Sequence, residues 1–215
     1  MLNTRFVRYC HMTTGLMMFK PIVYTIFLLF VCSWENAEGR TYTNTISIWN
    51  GGIWGEWTEP EFCPDGMYAY GYDMKIEPKQ GSYRDDSSLN AIKLLCRSPN
   101  GDCTTDVSSG RSPWGDWVGE TVCNGSDVLV GFSLQVEGDQ GQYSDDSAAN
   151  FIKFKCRSAS GLYEIAKEPG TGFWGIYYHS VVCDNVICGI RTRLEEPQNG
   201  GDDSALNDVI FYCCD

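Results

Sequence analysis

Between residues 68 and 214, short stretches of apolar and polar alternation recur in two matched sets. Tyr72-Met74-Ile76, Phe132-Leu134-Val136 and Ile190-Thr192-Leu194 form the first set, and Ile92-Leu94-Cys96, Ile152-Phe154-Cys156 and Val209-Phe211-Cys213 form the second. A period of two puts alternate side chains on one face, so each stretch predicts a half-buried strand. Between the strands, Gln-Gly-x-Tyr and Asp-Asp-Ser runs supply turn-forming residues, and 23 glycines punctuate the chain. No segment beyond residue 40 carries a helical period of useful length. The chain reads as all-β.

The pattern is written three times. Trp54-Gly55-Glu56-Trp57, Trp114-Gly115-Asp116-Trp117 and Trp174-Gly175-Ile176-Tyr177 open copies 60 residues apart, and Cys63, Cys123 and Cys183 each follow the first Trp by nine residues. Each copy closes on a related phrase: Gln80-Gly81-Ser82-Tyr83-Arg84-Asp85-Asp86-Ser87-Ser88-Leu89-Asn90, Gln140-Gly141-Gln142-Tyr143-Ser144-Asp145-Asp146-Ser147-Ala148-Ala149-Asn150, and the shorter Gln198-Asn199-Gly200-Gly201-Asp202-Asp203-Ser204-Ala205-Leu206-Asn207. A single copy cannot bury the apolar face of its own sheet. Three such faces turned inward around a pseudo-threefold axis can, which predicts one closed domain over residues 40–215 with repeats near 46–104, 105–164 and 165–215. The stretch Thr45 to Trp49 has no counterpart of its own and is expected to complete a sheet with the C-terminal part.

Ahead of this domain, Arg5, Arg8 and Lys20 precede the apolar run Ile22–Cys32, and Ala37-Glu38-Gly39 offers small residues for cleavage. The run is shorter than the roughly 20 apolar residues of a membrane-crossing helix, so residues 1–39 are expected to be a signal peptide with a long basic region, a retained anchor being the alternative. Met17 and Met18 are alternative starts. Removing the leader's three basic and two acidic residues from totals of 16 and 28 leaves 13 against 26, a net charge of −13. Such a balance excludes nucleic acid as a natural partner and favours solubility, or attraction to basic proteins.

Nine of the 11 cysteines lie beyond the leader, in a chain expected to meet an oxidising compartment. If the copies fold alike, Cys63 pairs with Cys96 and Cys123 with Cys156, both 33 apart, and Cys183 pairs with Cys213 at 30. Cys188 and Cys214 occur only in the third copy and form a fourth expected bridge, with exchange between Cys213 and Cys214 left open. Cys103 is odd: a free thiol, a crosslink to another chain or a member of a reshuffled set. Zinc is disfavoured, because no CxxC pair exists and His179 is the single histidine after the leader.

The tripled W-G-x-W, the Q-G-x-Y-x-D-D-S-A-x-N phrase, the cysteine spacing and the ending Leu206-Asn207-Asp208-Val209-Ile210-Phe211-Tyr212-Cys213-Cys214 together resemble the vitelline membrane outer layer protein family. The resemblance covers the chain from about Ile46 to its end. It implies a β-prism of three Greek-key sheets, secretion, and in egg-laying animals a place in the coat around the yolk. Departures are Cys103, Tyr177 where the other copies have Trp57 and Trp117, and the long leader.

Two groups of residues are candidates for chemistry. The paired carboxylates led by Asp85, Asp145 and Asp202 suit a cation or the acid–base cleavage of glycosidic bonds, but neighbours in a strand point to opposite faces, and Asp before Ser and Asn in a tight connection ordinarily bonds its own backbone. Trp54, Trp114 and Trp174 offer flat faces for sugar rings, against the commoner use of such rings in packing. Glu77, Glu137 and Glu195 recur as well, and read either as partners of the aspartates or as solvated strand-end residues. A Ser-His-Asp relay would have to use His179, and nothing near it resembles a nucleophile elbow. Asn124-Gly125-Ser126 is the single N-glycosylation sequon, placed directly after Cys123 where crowding is expected to limit its use. The expectation is a secreted, non-enzymatic structural or binding protein of an extracellular coat or secretion, without metal, cofactor or membrane span, whose partners are coat proteins, basic ones among them. Its rivals are a lectin-like glycan-binding module and, implied by the resemblance alone, weak transfer between N-acetylglucosamine oligomers.

Overall fold

The computed structural model describes residues 6–14, 28–36, 40–79, 87–138, 148–197 and 204–215. The chain forms two compact units, Met1–Arg40 and Thr41–Asp215. In the first, strands β1 (Phe6–Thr14) and β2 (Leu28–Asn36) pair antiparallel.

The second unit is built on three long hairpins. They are β6 (Tyr68–Ile76) with β7 (Leu89–Arg97), β11 (Val128–Val136) with β12 (Ala149–Ser158), and β15 (Val186–Leu194) with β16 (Leu206–Cys214). All three share one register. Tyr72 faces Leu94, Phe132 faces Phe154 and Ile190 faces Phe211, and each hairpin has irregularities at the same two places. The alternation seen in the sequence therefore turns both predicted strand sets inward.

Short strands complete the sheets, and they come from elsewhere in the chain than the repeat boundaries imply. β8 (Thr104–Val107) and β13 (Gly161–Ile165) follow their own hairpins and pair with β7 and β12. On the other side, β9 (Asp116–Trp117) and β10 (Thr121–Val122), which open the second copy, pair with β6 of the first. Likewise β14 (Ile176–His179) of the third copy pairs with β11 of the second. The circle closes with β4 (Glu56–Trp57) and β5 (Glu61–Phe62), the opening of the first copy, which pair with β15 of the third. β3 (Asn44–Ile46) lies along β16, with Ile46 opposite Phe211, in the place that β8 and β13 hold elsewhere. In the first two sheets three consecutive strands with a fourth returning beside the first give Greek-key order; the third reaches the same spatial order with outer strands from the start of the unit, and the three sheets make a β-prism.

Inside the prism Phe154 sits between Tyr72, centroids 4.7 Å apart, and Phe211 at 5.2 Å, which in turn meets Phe132 at 4.8 Å. These four rings come from all three sheets. Ile92, Leu94, Ile152 and Val209 are fully buried in the same core. The hydroxyl of Tyr72 accepts from Lys167 N at 2.9 Å, and burial pushes its pKa up to about 12.

Disulfides fasten one sheet to the next. Cys63, just past β5 in the third sheet, is bonded to Cys96 of β7 in the first; Cys123, past β10, to Cys156 of β12; and Cys183, past β14, to Cys213 of β16. Cys188–Cys214 instead links the two strands of the third hairpin. Cys103 is a free, exposed thiol in the turn from β7 to β8.

Truncating Phe154 to Ala removes the ring on which the three sheets meet. It should cost about 3–5 kcal/mol, seen in urea melts as a lower midpoint with an unchanged slope.

Candidate functional site

The W-G-x-W motifs enter their sheets at one end of the prism, and the backbone explains their first two residues. Gly55, Gly115 and Gly175 have φ of +78°, +71° and +83°, and a Cβ on any of them would run into the main chain of Leu194, Ile76 or Val136 in the preceding copy's sheet. Glycine is thus required twice over, by conformation and by close approach. The Trp before it is held by its amide: Trp54 N donates to Asn207 Oδ1 at 3.3 Å and Trp174 N to Asn150 Oδ1 at 3.2 Å. At Asn90 the side-chain oxygen is buried without a hydrogen bond, and this hairpin keeps only the main-chain bond that both share, Ser112 N to Asn90 O at 3.0 Å as Gly52 N to Asn207 O at 2.7 Å.

These asparagines organise the hairpin ends as well. Asn207 Nδ2 donates to Ser204 Oγ at 2.8 Å, and Ser204 donates in turn to Glu195 Oε2 at 2.5 Å through its hydroxyl and 3.2 Å through its amide. The same chain runs from Asn90 Nδ2 to Ser87 Oγ at 2.8 Å and on to Glu77 Oε2 at 2.5 Å. Backbone bonds from Glu77, Glu137 and Glu195 to Ser88, Ala148 and Ala205 close each hairpin, and those three acceptors all have positive φ without being glycine. So Glu77 is buried and bonded, not a solvated strand-end residue. Sequence reasoning quoted these asparagines but gave them no role; their only signal was threefold recurrence.

The two aromatics of each motif part company. The second lies against a sheet under a cation: Lys93 Nζ is 4.4 Å from the Trp117 ring, Lys153 Nζ 4.4 Å from Tyr177 and the Arg191 guanidinium 5.6 Å from Trp57. Of the first, Trp54 is 51% exposed, and Trp114 and Trp174 are partly buried. Lys79 Nζ lies 5.1 Å over Trp174, and the exposed Phe173 stands beside it at 5.4 Å. Among the described residues Trp49 is the most exposed ring at 86%, edge-on to Tyr178 at 5.4 Å. Asp85, Asp145 and Asp202 lie outside the described residues, as do their neighbours Asp86, Asp146 and Asp203.

Other chemistry is sparse. His179 Nδ1 is 2.6 Å from Ser133 Oγ across β14 and β11, yet Ser133 is 1% exposed and no carboxylate bonds the imidazole among the described residues. A catalytic relay needs that carboxylate on Nδ1, which here faces the serine. No group of three His, Cys, Asp or Glu side chains converges among the described residues. No helix of the described residues is long and apolar enough to cross a membrane. Asp208 is the one shifted carboxylate among them: burial pushes it up to about 6, against the pull of its own strand's Val209 amide and of Arg193.

A closed prism of three disulfide-joined antiparallel sheets, each completed by opening strands from another copy, defines the class of β-prism proteins. The chain belongs to the vitelline membrane outer layer protein I family, whose model matches residues 44–215. It is 38% identical over 187 residues to the human vitelline membrane outer layer protein 1 homolog, covering 86% of this chain and 89% of that protein. The mouse homolog is 38% identical over 175 residues, 80% of this chain and 84% of its own. Among solved structures it is similar to Calystegia sepium agglutinin, with 15% identity, TM-score 0.48, and coverage of 81% of this chain and 97% of that one. Frutapin, a lectin from Artocarpus incisa, gives 13%, 0.48, 82% and 99%.

Asn207→Ala takes the acceptor from the part-buried Trp54 amide, while the Ser204 hydroxyl keeps its bond to Glu195. It should destabilise by about 1–3 kcal/mol in denaturant melts, the usual range for one orphaned group. Asp208 binds its proton more tightly folded than unfolded, so its ionisation erodes stability as pH rises from about 4 to 6, with the full cost present above that. Asp208→Asn should therefore raise stability above about pH 7 by about 1–2 kcal/mol after allowing for solvent screening, seen as a higher melting temperature, and change little below pH 4.

Proposed function

We propose that this protein is a secreted, non-enzymatic structural and binding component of an extracellular coat or secretion. The observation that carries the reading is the fate of the recurring polar residues. Glu77 and Glu195, the described carboxylates with which the Asp-Asp phrases would pair, already accept from Ser87 and Ser204. A general acid or base must be free to exchange its proton with substrate, and a carboxylate held by its own hairpin is poorly placed for it. The tripled phrase is spent on holding copies together. Four bridges among the described cysteines favour an oxidising compartment, and the leader ahead of Arg40 supplies the route there. A net charge of −13 over residues 40–215 suits attachment to basic coat proteins. The family's name supports the coat assignment.

A second reading, glycan binding, is favoured by the half-exposed first tryptophans, above all Trp54 with its ring open at the motif end of the prism. Full-length protein expressed in animal cells should appear in the medium with its N-terminus near Arg40. Incubated with N-acetylglucosamine oligomers, it should leave their chain lengths unchanged; longer or shorter products would overturn the non-enzymatic reading. On a glycan array, signal from the wild type that is lost in Trp114→Ala, with the melting curve preserved, would establish the lectin-like reading over the scaffold.

A further inference from the structure

We propose that Asn124 carries an N-linked glycan. The proposal rests on the secretory route proposed above, because the acceptor sequence is used only there. Asn124-Gly125-Ser126 meets the acceptor requirement, and all three residues are exposed in the folded protein. The preceding Cys123 is buried against Cys156, so the crowding expected from the disulfide falls inside the prism while Asn124 stands in solvent.

The turn is fixed through its main chain. Asp127 N donates to Asn124 O at 2.9 Å, and Gly125 takes φ of +51°. Arg97, from the neighbouring hairpin, donates to Gly125 O at 2.6 Å and to Asp127 O at 2.8 Å. The Tyr163 hydroxyl accepts from Asn124 N at 2.7 Å and donates to Asp127 Oδ2 at 3.0 Å. Against this, the side chains of Asn124 and Ser126 make no hydrogen bond to any described residue, so a sugar on Asn124 Nδ2 displaces nothing. The two equivalent turns serve as internal controls. After Cys183, Arg157 grips the carbonyls of Asp184 and Asn185 in the same manner, but Asn185 donates to Asp215 Oδ1 at 2.8 Å and is followed by Val186-Ile187, with no hydroxyl two residues on. After Cys63 the run is Pro64-Asp65-Gly66, with no asparagine. One of three like turns is thus free to accept a glycan.

In the attachment step, Nδ2 of Asn124 bonds to the anomeric carbon of a polyisoprenyl-diphosphate-linked oligosaccharide. The lipid diphosphate leaves with the electrons of the broken C–O bond, and the amide nitrogen gives up one proton. The product stands away from the tryptophans. Val122 faces Gly71 near the middle of β6 and Asp116 faces Ile76 at its end, five residues or about 17 Å along the strand. The motif end therefore stays open to partners.

The test is expression of the full chain in animal cells, with medium and lysate blotted with and without peptide-N-glycosidase F. The expected result is one heavier band in the medium that collapses on treatment. Asn124→Gln and Ser126→Ala should run at the collapsed position untreated, and Ser126→Thr at the heavier one. None of these changes touches the main-chain contacts that fix the turn, and limited proteolysis will verify that each variant is folded. Untreated protein in the medium at the lower position overturns the glycan and leaves secretion standing. A heavier band that survives Asn124→Gln overturns the assignment to this site. A chain confined to the cytosol overturns both readings.

Discussion

Each sheet of this prism lacks an edge until the next copy supplies it. The long hairpins bury their inner faces against one another, but β6, β11 and β15 would each present an unpaired edge without β9 and β10, β14, or β4 and β5. An exposed edge is a template for association. The exchange of opening strands removes that liability and places the W-G-x-W motif where its glycine can pass close to another copy's backbone. The three inter-sheet disulfides follow from the same arrangement, since the cysteine after each opening strand already sits in one sheet and its partner in the next. Though each bridge stays within one copy of the sequence, in space it crosses a boundary.

Threefold symmetry is kept where the copies interlock and relaxed elsewhere. The register that aligns Cys96, Cys156 and Cys213 also aligns the residue after each: Arg97, Arg157 and Cys214. In the first sheet Arg97 lies over the Tyr70 ring at 4.7 Å while gripping the turn of the second copy. At the matching pair of positions the third sheet has the Cys188–Cys214 bridge, so a covalent bond stands where the first has a cation on a ring. Beside that bridge Tyr42, Phe62 and Tyr212 stack into a small apolar cluster on the outer face. The core departs too. Thr192 takes the place of Met74 and Leu134 and bonds with Thr58 and Ser109, a buried polar patch between the third sheet and the first.

The alternation of apolar residues made six long strands and their inward faces legible, and the stray stretch beginning at Thr45 announced β3. The exchange was not legible. Periodicity reports which face is buried, not which copy provides the neighbour, and strands of two residues such as β4 and β9 carry no period at all. β8 was hidden by its own composition, because Thr104-Thr105-Asp106 is an exposed polar edge. At the candidate site the recurring tryptophans were readable as a group. Their division into covered and half-exposed rings was not, since it depends on Lys93, Lys153 and Arg191 arriving from other strands. Asn90, Asn150 and Asn207 stood in phrases dense with turn formers, where nothing local marks one residue as the clasp.

The pairing of β4 and β5 with β15 sets an order of events during synthesis. Residues 56–62 leave the ribosome some 130 positions ahead of the strand they must join, an interval of roughly 10 s at ordinary elongation rates. Throughout that time the first hairpin can form, but no prism can close around it. Sequence-distant contacts of this kind slow folding, because the entropy of loop closure must be met before they yield anything. The apolar faces of the first hairpins therefore stay open to water until β15 and β16 have been made.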